Sequence, residues 1–164
     1  MRRQAKRERT ADAATDPLAI REAALGLLAR RDHAARELER KLEERGFDRK
    51  VTGEVLQELA DEHLLDDERY VEHFVAYHVT RGQGPARITA ELRQLQLPAD
   101  LINRHLAAVA DWREQARAVR RKKFGATIPS SYDARARQAR FLQYRGFAAD
   151  HIRAALEGDV AAED

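Results

Sequence analysis

Glu37-Leu38-Glu39-Arg40-Lys41-Leu42-Glu43-Glu44-Arg45-Gly46-Phe47-Asp48 is the stretch that decides the fold. Leu38 and Leu42 lie four apart, on one face of a helix running from about residue 34 to 45. Gly46 provides the left-handed residue on which helices commonly stop. Asp48 can accept hydrogen bonds from the first N–H groups of the helix after it, which carries Val51, Val55, Leu56 and Leu59. Upstream, Asp16-Pro17 opens a helix whose inner face is Ile20, Ala24, Leu27 and Leu28. Downstream, Leu64-Leu65-Asp66-Asp67 turns the chain, and Asp66 can cap the next helix.

The pattern recurs. Leu38, Leu42, Phe47, Leu56 and Leu59 return 50 residues later as Ile88, Leu92, Leu97, Leu106 and Val109, and 50 further on stand Leu142, Phe147 and Leu156. Gly46-Phe47 reappears as Gly146-Phe147, and Thr52, Ile102 and Ile152 share a register. Three copies at one period predict an all-α protein of tandem three-helix repeats, about nine helices in all. The expected boundaries are 16–65, 66–111 and 112–157, between a disordered basic tail at 1–15 and an acidic tail at 158–164. The third repeat departs most, with Gln138 at the first apolar anchor and a longer loop from Gly125 to Ser130. Units this small bury little surface alone, so neighbours are expected to share apolar faces in an elongated, curved array. Such a shape offers contact surface rather than deep pockets.

Composition narrows the function. Apolar residues at 43 % and charged residues at 35 % describe a folding chain with a heavily charged surface. The absence of cysteine removes disulfides and thiolate metal sites and suits a reducing compartment. No apolar run approaches the roughly 20 residues of a membrane span, and the Arg-rich start has no hydrophobic stretch that would make it a secretory signal. The net charge of +2 hides a strong asymmetry. Residues 16–111 hold 14 basic and 19 acidic residues, whereas residues 112–153 hold 11 basic residues against Glu114, Asp133 and Asp150. A basic final third points to a polyanion or an acidic partner.

Catalytic and cofactor motifs are absent from the sequence. His33, His63, His73, His78, His105 and His151 show no metal-ligand spacing, and there is no Walker A sequence, so an enzyme is not expected and no cofactor or metal is assigned. Arg81-Gly82-Gln83-Gly84-Pro85 superficially resembles a phosphate loop but lacks the preceding strand and third glycine. It reads as a linker between helices, although free N–H groups at the following helix start could hold a phosphate or carboxylate. The binding residues are expected on two helices. Arg113, Arg117, Arg120 and Arg121 fall together at i, i+4, i+7 and i+8, followed by Lys122 and Lys123, while Trp112, Ala116 and Val119 face inward. Arg135, Arg137, Arg140 and Arg145 come on the next helix. With no carboxylates in view, such a row is expected to contact phosphate or an acidic protein groove. The helix after Gly46 could suggest a helix-turn-helix, but Glu54, Glu58, Asp61 and Glu62 make it a poor groove reader.

Leu28-x-Arg30-Arg31, Glu37-Leu38, Lys41-Leu42, Gly46-Phe47, Leu65-Asp66-Asp67-x-Arg69-Tyr70, Gly82-x-Gly84-Pro85-x-Arg87-Ile88 and Glu91-Leu92-Arg93 together resemble the RecX regulatory family, over about residues 18–157. The resemblance implies a cytoplasmic, non-enzymatic protein that binds the RecA recombinase filament on single-stranded DNA. It implies restraint of filament growth, ATP hydrolysis and strand exchange in recombination, repair and the SOS response. Weak, nonspecific affinity for single-stranded DNA, no membrane association and a monomer are expected with it. The chain departs from the family at Ala34, where a capping Ser is usual, at Gln96, where Gly is frequent, and at Tyr70-Val71. Two other readings remain open: a general DNA-binding helical protein, which should footprint a duplex without RecA, and a helical protein–protein adaptor, which should ignore nucleic acid and salt.

Overall fold

The computed structural model describes residues 12–157, so most of the expected basic tail and the whole acidic tail lie outside the described residues. Among the described residues there is no strand. After a helical turn at 12–14, the elements are α1 (Pro17–Leu28), α2 (Ala35–Glu44), α3 (Arg49–Asp61), α4 (Asp67–Thr80), α5 (Pro85–Gln94), α6 (Ala99–Ala107), α7 (Trp112–Phe124), α8 (Tyr132–Tyr144) and α9 (Ala149–Glu157). Ahead of α1, the Ala14 carbonyl accepts the Asp48 N–H at 2.8 Å.

Helix starts follow the local sequence. Asp16 accepts the Leu18 N–H at 3.0 Å, Asp48 the Val51 N–H at 3.0 Å, and Asp66 the Arg69 N–H at 3.0 Å. Each satisfies an N–H that has no partner within its helix. Gly46 and Gly146 end α2 and α8 at φ 91°, whereas Gln96 holds the corresponding place after α5 at φ 58°. Ala34 cannot cap α2 with its side chain. Instead Asp67, at the start of α4, accepts the Ala35 N–H at 2.8 Å.

The chain forms two compact units. Among the described residues, one comprises residues 12–70 together with Leu95–Leu97, and the other Val71–Gln94 with residues 98–157. In the first, α1 and α2 pack on α3 around Ile20, Ala24, Leu27, Leu38, Leu42, Val55, Leu56, Leu59 and Leu65. Residues of the family-like motifs gather beside this core in one polar cluster. Glu37 is buried, paired with Arg31 and, at 3.1 Å, with Lys41, and Arg69 pairs with Asp32 at 3.3 Å. Burial pushes the Glu37 carboxyl up, but the hydrogen bonds from Arg31 and Lys41 prevail and hold it below its ordinary value.

In the second unit, α9 packs against α7 and α8 around Ala116, Leu142, Phe147 and Ala155. The start of α5 is bound to the end of α8: the Gly84 N–H donates to the Arg145 carbonyl at 2.7 Å and the Ala86 N–H to the Gly146 carbonyl at 3.0 Å. A Cβ on Gly84 would stand 2.4 Å from the Gly146 carbonyl, and one on Gly146 2.5 Å from the Arg87 Cβ, so this approach requires glycine on both sides. The expectation that the α5 start offers free N–H groups to a ligand is therefore corrected for Gly84 and Ala86. The α8 backbone occupies Gly84 and Ala86, and Pro85 has no N–H to give.

Candidate functional site

The basic face of α7 is divided rather than continuous. Trp112 and Val119 pack with Ala116 against the core, as their spacing predicts. Arg120 goes inward with them and is 3 % exposed. Its guanidinium donates to the Thr127 carbonyl at 3.0 Å, the Ala126 carbonyl at 3.1 Å and Gln138 Oε1 at 3.4 Å. Burial, together with neighbouring Arg121, lowers its pKa, yet a guanidinium keeps its proton at any ordinary pH. Placing Arg120 among the surface contacts is thus corrected: it braces the long loop after α7. Gln138 and that loop, the two irregular features of the third repeat, are its partners.

Arg113, Arg117 and Arg121 do stand toward the surface, but carboxylates face them. Arg113 pairs with Asp150 at 3.5 Å, while Glu114 takes Arg117 at 3.5 Å and Arg121 at 3.6 Å. The uncompensated row expected from the sequence does not exist in that form. Glu114 lies at i−3 and i−7 from those arginines, on the same side of α7, and Asp150 comes from α9. These pairs are long and partly solvated, so they weakly oppose replacement by another anion.

A further group of cations lies one turn beyond. A cleft of about 750 Å³ is lined by Arg81, Lys122, Lys123 and Arg145, with Gln115, Ala118, Val119 and Phe141 among the other walls and no acidic residue. Gly82, at φ 72°, lets the loop after α4 rest on Val119, whose Cγ2 would lie 2.9 Å from an added Cβ. Arg145 closes one side by donating to the Arg81 carbonyl at 3.0 Å and lies 5.3 Å from the centroid of the Phe141 ring. Lys122, Lys123 and Arg145 were expected at the site, but Arg81 was not. It is 64 residues from Arg145 in sequence, and the Gly84–Gly146 approach, with Gly82 resting on Val119, brings them together. The matched glycines were the one available signal.

The remaining expected residues lie elsewhere on α8. Arg137 and Arg140 are exposed beside a shallow depression that also contains Tyr132 and Asp133. Arg135 is half-buried and donates to the Pro129 carbonyl at 3.4 Å. Neither group joins the cleft lining. Among the described residues, no set of three or more His, Asp or Glu side chains could hold a metal ion. No helix there is long and apolar enough to cross a membrane.

Three consecutive three-helix domains, the second and third together lining a cation-rich cleft, define an all-α helical-repeat protein. Family comparison makes this specific. The first, second and third three-helix domains of RecX match residues 21–59, 66–106 and 111–156. A regulatory protein RecX of Halorhodospira halophila is 52 % identical over 138 residues, covering 84 % of this chain and 86 % of that one. One from Ectopseudomonas mendocina is 44 % identical over 144 residues, covering 87 % and 96 %. The crystal structure of RecX from Lactobacillus salivarius superposes with a TM-score of 0.74 at 20 % identity, covering 86 % of this chain and 94 % of that one, a likeness of fold. The chain belongs to the RecX family of regulatory proteins.

Proposed function

We propose that this chain regulates RecA recombinase by binding its filament on single-stranded DNA and restraining ATP hydrolysis and strand exchange. Membership of all three domains in a regulatory family carries the reading. The charge distribution supports it: the basic part, residues 112–153, suits DNA phosphate or acidic RecA surface, while the acidic part, residues 16–111, suits basic RecA surface. Occupation of the filament groove would block an incoming duplex and hinder the protomer movements that accompany nucleotide turnover. The ligand is a surface larger than any small-molecule pocket, and the work is done by binding.

Retention on immobilised single-stranded DNA tests the proposal. RecA filaments assembled with a slowly hydrolysed ATP analogue should retain the chain more strongly than bare DNA of the same length. Reversing Arg117, Arg121, Lys122 and Lys123 to Glu should reduce retention and its salt dependence together. Equal retention by bare DNA would favour a general DNA-binding protein. Retention by filaments that is indifferent to salt and to these reversals would remove the basic surface from the account.

A further inference from the structure

His33, in the turn before α2, is only 3 % exposed, and both of its ring nitrogens are engaged. Nδ1 lies 3.0 Å from the Arg31 carbonyl, and Nε2 lies 3.1 Å from Lys41 Nζ. A carbonyl only accepts and an ammonium only donates, so Nδ1 carries the ring proton and Nε2 presents its lone pair. Lys41 is thereby held between two acceptors, His33 Nε2 and Glu37 Oε1, each at 3.1 Å. Charged groups reach this cluster from three segments of the first unit. Arg31, from the same turn, pairs with Glu37 and hydrogen-bonds Tyr70 of α4. Asp67 of α4 accepts the Ala35 N–H, and Arg69 pairs with Asp32 at the edge.

We propose that His33 is a proton-operated clasp: its neutral ring ties Lys41 to Glu37 and the turn at 29–34 to α2, and protonation at Nε2 releases Lys41 and loosens the joint between that turn, α2 and the start of α4. A proton from solvent takes the Nε2 lone pair, which is the only basic site left on the ring. The new N–H then points at an ammonium 3.1 Å away, so the bond to Lys41 breaks and two cations face each other. Lys41 is the group free to yield, because its side chain is 30 % exposed whereas that of Glu37 is 8 % exposed. Glu37 keeps Arg31 alone. Burial first, then the charges of Arg31 and Lys41, outweigh the Arg31 carbonyl and Glu37, and together they hold the His33 pKa below its ordinary value. As pH falls, the unfolded chain therefore takes up this proton before the folded one. The stabilisation is whole above the ordinary histidine range and is lost as pH falls through the depressed value. The clasp is closed at neutral pH and opens in acid, independently of any RecA contact.

Long-range 1H–15N NMR of the full chain, titrated from neutral pH into acid, reads the tautomer and the titration of His33 directly. At neutral pH the proton should sit on Nδ1, and the ring should titrate below about 6.5, the ordinary histidine value. Lys41→Met removes the opposing charge and should raise the His33 midpoint by roughly half a pH unit, about a threefold gain in proton affinity. Amide protection factors at 31–41 and 67–70 should fall by roughly tenfold for each pH unit below the midpoint. In His33→Gln that fall should vanish, because glutamine can still donate to the Arg31 carbonyl and accept from Lys41 but does not titrate. A proton on Nε2 at neutral pH, a midpoint at or above the ordinary value, or one unmoved by Lys41→Met would overturn the proposal. So would the same acid loss of protection in His33→Gln, which would assign the loss to Glu37. The wild-type titration needs no variant, so it decides even where a variant fails to fold.

Discussion

Gln96 occupies the left-handed backbone position that glycine holds in the two other repeats, at φ 58° against 91° for Gly46 and Gly146. A side chain there costs about 1 kcal/mol, partly offset by the lower unfolded-state entropy of a non-glycine residue. Gln96→Gly should therefore raise stability by about 0.5 kcal/mol, read as a higher urea midpoint at unchanged slope. A lowered midpoint would mean that the glutamine side chain contributes contacts that outweigh the backbone strain. Glu37 belongs to the same scale. Because its folded pKa is depressed, its stabilisation is complete above the ordinary carboxylate range and is lost as pH falls through the depressed value. Glu37→Gln should cost about 1–3 kcal/mol at neutral pH, with the difference from wild type shrinking as pH falls below the ordinary carboxylate range. A gap that stays constant across that range would assign the loss to packing instead. Both residues were prominent in the sequence, Gln96 as a departure from glycine and Glu37 as part of a family motif. Lys41, four residues on along α2, was a neighbour that spacing identifies, but the pairing of buried Glu37 with Arg31 was hidden, because spacing says nothing of a loop residue folding back.

Among the elements, α7 shows most clearly where one-dimensional reasoning stops. Its inward stripe of Trp112, Ala116 and Val119 was legible from the period alone. Arg120 was not: it sits one turn after Ala116, at the border of that stripe, and its direction is decided by the carbonyls of a loop whose path has no periodicity. Gln138, 6 % exposed where Leu38 and Ile88 stand in the other repeats, is the matching irregularity on α8. The pair predicts coupling. Arg120→Leu and Gln138→Leu should each destabilise the fold by about 1–3 kcal/mol, because each strands a buried polar partner. Together they should cost less than the sum by about 1 kcal/mol or more, as the stranded groups are removed together. Strict additivity in urea unfolding would separate the two residues energetically. Neither change should weaken single-stranded DNA binding by the folded protein, in contrast to reversal of Lys122 and Lys123.

For the whole molecule, the helical class was readable because the 50-residue period repeats caps, stops and apolar anchors at once, and the family resemblance came from the ordered motifs between Leu28 and Arg93. The final third was marked as basic by the same reading, but its charges sort into three environments. Some are paired, one is buried, and some line a cleft completed by Arg81 from the preceding repeat. Contacts from outside α7 make that sorting, among them Asp150 of α9, the carbonyls of Ala126 and Thr127, and the approach of Gly84 to Arg145, and no local pattern announces them. The central claim is regulation of RecA through this surface. Single-stranded-DNA-dependent ATP hydrolysis by RecA, titrated with this chain at two salt concentrations, tests it most directly. The account predicts that hydrolysis falls well before the chain saturates the DNA, and that higher salt or the Lys122→Glu, Lys123→Glu variant weakens the effect. Unchanged hydrolysis with folded protein in excess, at both salt concentrations, would contradict it.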